Sequence, residues 1–142
     1  MTINDNNDFN HIKNVSQTAT GDIELPLVIL DTHVIFPEVL TAIPLVTKTN
    51  LNALQYAIEH NTTLITIKKR EQPNGDDLLD TLHTIGTEVA SGHIAGLQND
   101  VTHALAQGRR RIELVSIKQE TPFITVTARV IEDQDTTSDL IE

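Results

Sequence analysis

The side chains of this 142-residue chain that could do chemistry are few and poorly spaced for it. The serines are Ser16, Ser91, Ser116 and Ser138, and none stands in a GxSxG turn that would lift a nucleophile above a sheet. Ser116 and Lys118 lie two apart, so a strand would put them on one face and permit a Ser–Lys dyad; a solvent-facing polar pair is the simpler account. The histidines are His11, His33, His60, His83, His93 and His103, with no HExxH or HxxxH spacing. His83, His93 and His103 recur at even intervals, but sharing a metal would depend on a hairpin register that one slipped residue reverses. The chain has no cysteine, which removes disulfides and thiolate zinc sites. Asp76, Asp77 and Asp80 lack the spacing and closing Glu of a calcium loop. A GxxxxGK[ST] loop is absent, so this chain alone should not hydrolyse ATP. Two basic triplets, Lys68-Lys69-Arg70 and Arg109-Arg110-Arg111, have no interleaved aromatics and read as solvated strand ends rather than a nucleic-acid or anion site. The residues thus assign no catalytic group, no cofactor and no metal, and a binding module remains.

The elements that would position such a module follow from periodicity. LPLVIL (25–30) is a short apolar strand, VIF (34–36) ends at Pro37, and VLTAIPLV (39–46) contains Pro44, which suits an edge strand or bulge. In KTNLNALQYAIEHN (48–61), Leu51, Leu54 and Ile58 with Ala53 and Ala57 form one helical stripe. Thr49 or Asn50 is the expected N-cap, and Asn61 the left-handed stop. TLITIKKR (63–70) returns to strand alternation, and 71–77 is turn-rich around Asn74-Gly75. Residues 77–86 read as a helical turn or a strand lead-in. Residues 86–108 read as two strands folded at Gln98-Asn99-Asp100, with glycines that suggest bulges. RIELVSIK (111–118) and FITVTARV (123–130) alternate cleanly on either side of Thr121-Pro122. Six or seven short, mostly antiparallel strands with one helix predict a mainly β, α+β fold.

Hydrophobic residues make up 39%, with three Phe, one Tyr and no Trp, so the core must be aliphatic. No apolar run is long enough to span a membrane. The net charge of −10 is concentrated at the ends: residues 132–142 carry five acids and no base. A nearly balanced body argues against a dedicated nucleic-acid binder. Residues 1–22, rich in Asn, Asp and Thr, read as a disordered polar tail without a secretory pattern. The domain is expected over 23–133, and 134–142 as an acidic tail or the start of a linker helix.

Several phrases, taken in order, resemble the Lon protease N-terminal domain family. LPLVIL followed by HVIFP resembles that family's opening strand and VVFP turn, and the helix 48–61 occupies the place of its single helix. TLITIKKR, DTLHTIGTEVA (80–90), GRRRIELVSI (108–117) and TPFITVTARVIED (121–133) resemble its later phrases. The chain departs from the pattern at Asp31-Thr32, where an Arg-Asp pair is common, at Glu38 in place of Gly, and by one extra residue in GTEVA. The 98–101 turn is also shorter than the family's long hairpin.

The resemblance implies a PUA-like pseudobarrel that captures unfolded or tagged protein substrates. It also implies, as partners, the ATPase and Ser–Lys protease domains of a longer chain, in the cytoplasm. A stand-alone adaptor of cereblon type is the alternative, and a PUA-type RNA binder the weaker one. Leu78, Leu79 and Leu82, in the long 71–84 connection, are the candidate substrate contacts, with closure of the core as their competing role. Phe36 is expected to fill core and Pro37 to fix a turn.

Overall fold

Aliphatic stretches of strand length recur along the body, and nearly every one pairs into a single seven-stranded sheet. The computed structural model describes residues 12–14, 21–32, 34–91, 94–98 and 101–131. In chain order the elements are β1 (Asp22–Leu30), β2 (Leu40–Leu45), α1 (Lys48–Glu59), β3 (Leu64–Lys68), a short 3-10 helix (Leu78–Thr81), β4 (Ile85–Ala90), β5 (Ile94–Gln98), β6 (Val101–Gln119) and β7 (Thr125–Val130).

Five strands close on themselves in the order β6, β4, β3, β1, β7 and back to β6. All of these pairs are antiparallel except β1 with β3, between which β2 and α1 carry the chain back. The first half of β6 extends beyond the ring and is flanked on both edges. Ala104 lies opposite Ile43 of β2 on one side and Ile94 of β5 on the other. Pro44 sits in β2, the terminal strand of the sheet, where a missing N–H is tolerated.

Sequence reading breaks the chain near Gly108, yet β6 runs unbroken for 19 residues. The glycine answers a different demand. The 36–39 loop crosses β6 there, with Glu38 N–H donating to Gly108 O at 2.9 Å and Gly108 N–H to Val39 O at 3.0 Å. A Cβ at 108 would collide with the Phe36 carbonyl. The loop itself is not a strand: Ile35 is buried, while Phe36 points outward and is 54% exposed. Phe36 therefore does not fill the core as expected; Ile35 does, its carbonyl held by Thr87 Oγ1 at 2.6 Å, and successive side chains of extended chain point to opposite sides.

Two aliphatic layers result. Ile23, Leu25, Leu27, Ile65, Ile67, Ile112, Leu114, Val126 and Ala128 fill the barrel. Val28, Leu30, Ile43, Leu64, Val89, Ala104 and Ala106 face the other way and meet Ala53, Leu54 and Ala57 of α1. Both faces of β1 and β3 are thus covered, and each fully buried aliphatic side chain contributes about 1.5–3 kcal/mol.

The helix starts at Thr47, whose hydroxyl accepts from Asn50 N–H at 3.1 Å, and not at Thr49 or Asn50. Asn50 is engaged elsewhere. Its Oδ1 accepts from Ile29 N–H at 3.0 Å and its Nδ2 donates to Ile29 O at 2.9 Å. The Leu27 N–H on the same edge of β1 still reaches Ile124 O, just ahead of β7. The Asn50 amide continues that ladder where the neighbouring strand has ended. At the other terminus Asn61 adopts φ 52°, Asn61 N–H donates to Ile58 O and Thr62 N–H to Ala57 O, a Schellman stop.

Candidate functional site

A cleft of about 650 Å3 opens where β1 ends, between the first turn of α1 and the 3-10 helix. Ile29, Leu30, Leu78, Leu82 and Ile124 give it an aliphatic wall, and Pro44 and Val46 form its β2 side. Asp31 and Lys69 are its charged members. Val46 is 68% exposed, an unusual state for a branched aliphatic side chain at a cleft mouth.

The basic triplet 68–70 builds one wall by backbone and side-chain hydrogen bonds rather than by charge. Lys69 N–H donates to Leu30 O, Arg70 N–H to Thr81 O, and His83 N–H to Lys68 O. Arg70 Nε donates to Leu82 O at 2.8 Å. These bonds hold residues 78–83 against the end of β3, and Thr81 Oγ1 closes the turn on Leu78 O at 2.6 Å. The triplet is therefore structural and not simply a solvated strand end.

The three leucines singled out from the sequence occupy three different positions. Leu82 is buried in the barrel core, and Leu78 is half-buried on the same core while lining the cleft. Leu79 faces outward at 36% exposure. The cleft brings Leu78 and Leu82 together with Val46 and Asn50, which sequence reasoning did not select. The one available signal for Val46 was its place at the end of an apolar run just before the helix cap.

In the second basic triplet Arg109 and Arg110 are drawn inward, while Arg111 stays exposed. Glu88 is fully buried; its carboxylate accepts from Arg110 Nε at 2.6 Å and from Thr63 Oγ1 at 2.5 Å. Arg109 Nη1 donates to Ile12 O at 2.9 Å and to Asn14 Oδ1 at 2.8 Å, and Nε to Gln107 Oε1 at 3.0 Å. Burial pulls the Arg109 pKa below its ordinary value; Glu88 opposes that shift and Arg110 adds to it. Ile12 is buried against Ala90 and Leu105, so part of the stretch read as a solvated tail is docked on the sheet. Of the histidine series, His83 lines a second groove with Val34 and Ile85, His103 lies on β6 opposite Pro44, and His93 falls outside the described residues. Among the described residues no cluster of His, Asp and Glu could hold a metal, and no helix is long and apolar enough to cross a membrane.

The chain that folds into this closed aliphatic barrel with one helix matches a known family. The family model described as the ATP-dependent protease La (LON) substrate-binding domain matches residues 24–142. The chain belongs to this family. Lon protease 2 of Herpetosiphon aurantiacus is 22% identical over 125 residues, which is 88% of this chain and 15% of that protein. Among solved structures, a Lon N-terminal domain protein from Xanthomonas campestris superposes with a TM-score of 0.59 at 15% identity, over 78% of this chain and 60% of that one. The N-terminal domain of a Mycobacterium avium complex Lon protease gives 0.57 at 18% identity, over 78% and 54%. The chain thus spans a small part of the curated Lon protease and just over half of the solved chains. The fold these Lon domains share is the mainly β, single-helix architecture described above.

Proposed function

We propose that this Lon-type domain holds exposed apolar segments of unfolded or misfolded protein chains in the cleft beside α1. Captured chains would pass to an ATP-driven protease of the Lon type, so the domain binds and the cutting is done elsewhere. The observation that carries the reading is the pairing of an aliphatic wall with an exposed Val46 at its mouth. Leu78 is the proposed contact from the 3-10 helix within the cleft, with Leu82 as the floor beneath it; Leu79, exposed and outside the cleft lining, is a proposed contact on the outer side of that helix. A single cleft of this size takes a few side chains, and ordering a flexible client costs entropy, so weak affinity is expected.

The reading is tested by anisotropy titration with a reduced, carboxymethylated, permanently unfolded protein against its folded form. Preferential binding of the unfolded form is expected, weakened at least fivefold by Val46→Asp with no change in melting temperature. Equal binding of folded and unfolded forms would reject the reading. Retention of RNA that falls steeply with salt would favour a nucleic-acid partner instead.

A further inference from the structure

The Ile12 contact is a chain-binding event that the fold does not require. The closed ring is complete from β1 to β7, and Ile12 lies ten residues before β1 on a stretch poor in apolar side chains. Yet Ile12 is 3% exposed, seated on Ala90 and Leu105. Arg109 reaches across to fix both its carbonyl and the Asn14 side chain with one nitrogen. The seat is itself rigid: Ala90 is fully buried in β4, Ser91 Oγ ties the end of that strand to Leu105 O at 2.6 Å, and Gln107 Oε1 orients the guanidinium. An apolar socket beside a half-buried, oriented cation suits an aliphatic side chain followed two residues later by an oxygen acceptor. One of its two hydrogen bonds goes to a main-chain carbonyl that every polypeptide carries.

We propose that this seat is a second binding site for extended polypeptide of the form aliphatic-x-Asn or aliphatic-x-Asp, and that the protein's own Ile12–Asn14 occupies it until a client segment displaces it. The proposal rests on the reading of the domain as a binder of unfolded chains, and it adds a site and a competitor to it. Among the described residues, one docked side chain and two hydrogen bonds to Arg109 hold the resident segment, which makes it replaceable, whereas the twelve-residue helix on the other face is integral to the core.

The test uses the full chain carrying Ile12→Asp, with Ile12→Ala as a milder second variant. A fluorescent peptide copying residues 8–18 should bind the Ile12→Asp chain at least tenfold more tightly than the unaltered chain. A peptide with the Ile12 position changed to Asp should not bind. Adding Arg109→Ala should remove most of the peptide affinity, while thermal melting reports whether the chain remains folded. The permanently unfolded protein should bind the Ile12→Asp chain several-fold more tightly and compete with the peptide. Failure of the peptide to bind both Ile12 variants would overturn the proposal. The cleft reading is separable, because Val46→Asp should leave peptide binding intact; client binding lost with Val46→Asp but indifferent to Ile12 would keep the cleft and sink the second site.

Discussion

The sheet is covered on its two faces by very different devices. Over one face lies α1, twelve residues with a cap at Thr47, a Schellman stop and a stripe of fully buried Ala53 and Leu54. Over the other, past the end of the barrel filling, lies Ile12–Asn14, anchored, among the described residues, by one aliphatic side chain and Arg109. Between that seat and the barrel filling sits the charged group of Glu88 and Arg110, Glu88 standing opposite Ile65 of β3 in register. The helix face is a broad aliphatic layer, and covering it is part of folding. The other face is interrupted by charge and is covered by a segment whose removal leaves the ring closed. A cover built from many aliphatic contacts is permanent, and one built from a single side chain over a polar margin is exchangeable.

Substitutions can break or sharpen this contrast. The largest effect is expected from Leu54→Ala, which opens a cavity in the helix layer and should cost about 3–5 kcal/mol in urea unfolding. Arg110→Met removes the Arg110 ion pair from the buried Glu88 carboxylate and should cost about 3 kcal/mol, read the same way; Arg110→Met combined with Glu88→Gln should recover part of that loss. Asn50→Ala frees the Ile29 amide and carbonyl and should cost about 2 kcal/mol, with faster hydrogen exchange at Ile29. Ile12→Ala should move global stability least, by about 1 kcal/mol or less, because the segment undocks instead of leaving a cavity. A loss at Ile12 as large as that at Leu54 would erase the distinction between the two covers.

Much of the scaffold was legible from alternation alone. Ile124, Val126, Ala128 and Ile112, Leu114 face inward as their spacing demands, and the helical stripe at 48–61 packs as read. What escaped was set by partners distant in the chain. Asn50 resembled a cap because its true partner, Ile29, lies 21 positions away. Gly108 resembled a strand break because the Phe36 carbonyl that excludes a Cβ there cannot be seen locally. Of the two basic triplets, Arg70, Arg109 and Arg110 turned inward because backbone carbonyls and one buried carboxylate waited for them. Ile12 gave little signal, since Phe9, Ile12 and Val15 are spaced singly among polar residues and do not alternate as a buried strand would. The cleft was half legible: the leucines of the turn-rich connection drew notice, while Val46 and the missing length of β7 that opens the space did not.

The amide of Asn50 has one more implication. By taking both polar groups of Ile29, it leaves no open main-chain edge on β1 for a visitor to zip onto as an added strand. Along that edge of β1, a guest in the adjoining hollow would meet side chains and no strand ladder. Nothing then dictates which residue of the guest sits where, so a threading polypeptide can creep through in single steps, and photocrosslinks from Val46 should scatter along the guest and not fall on one position.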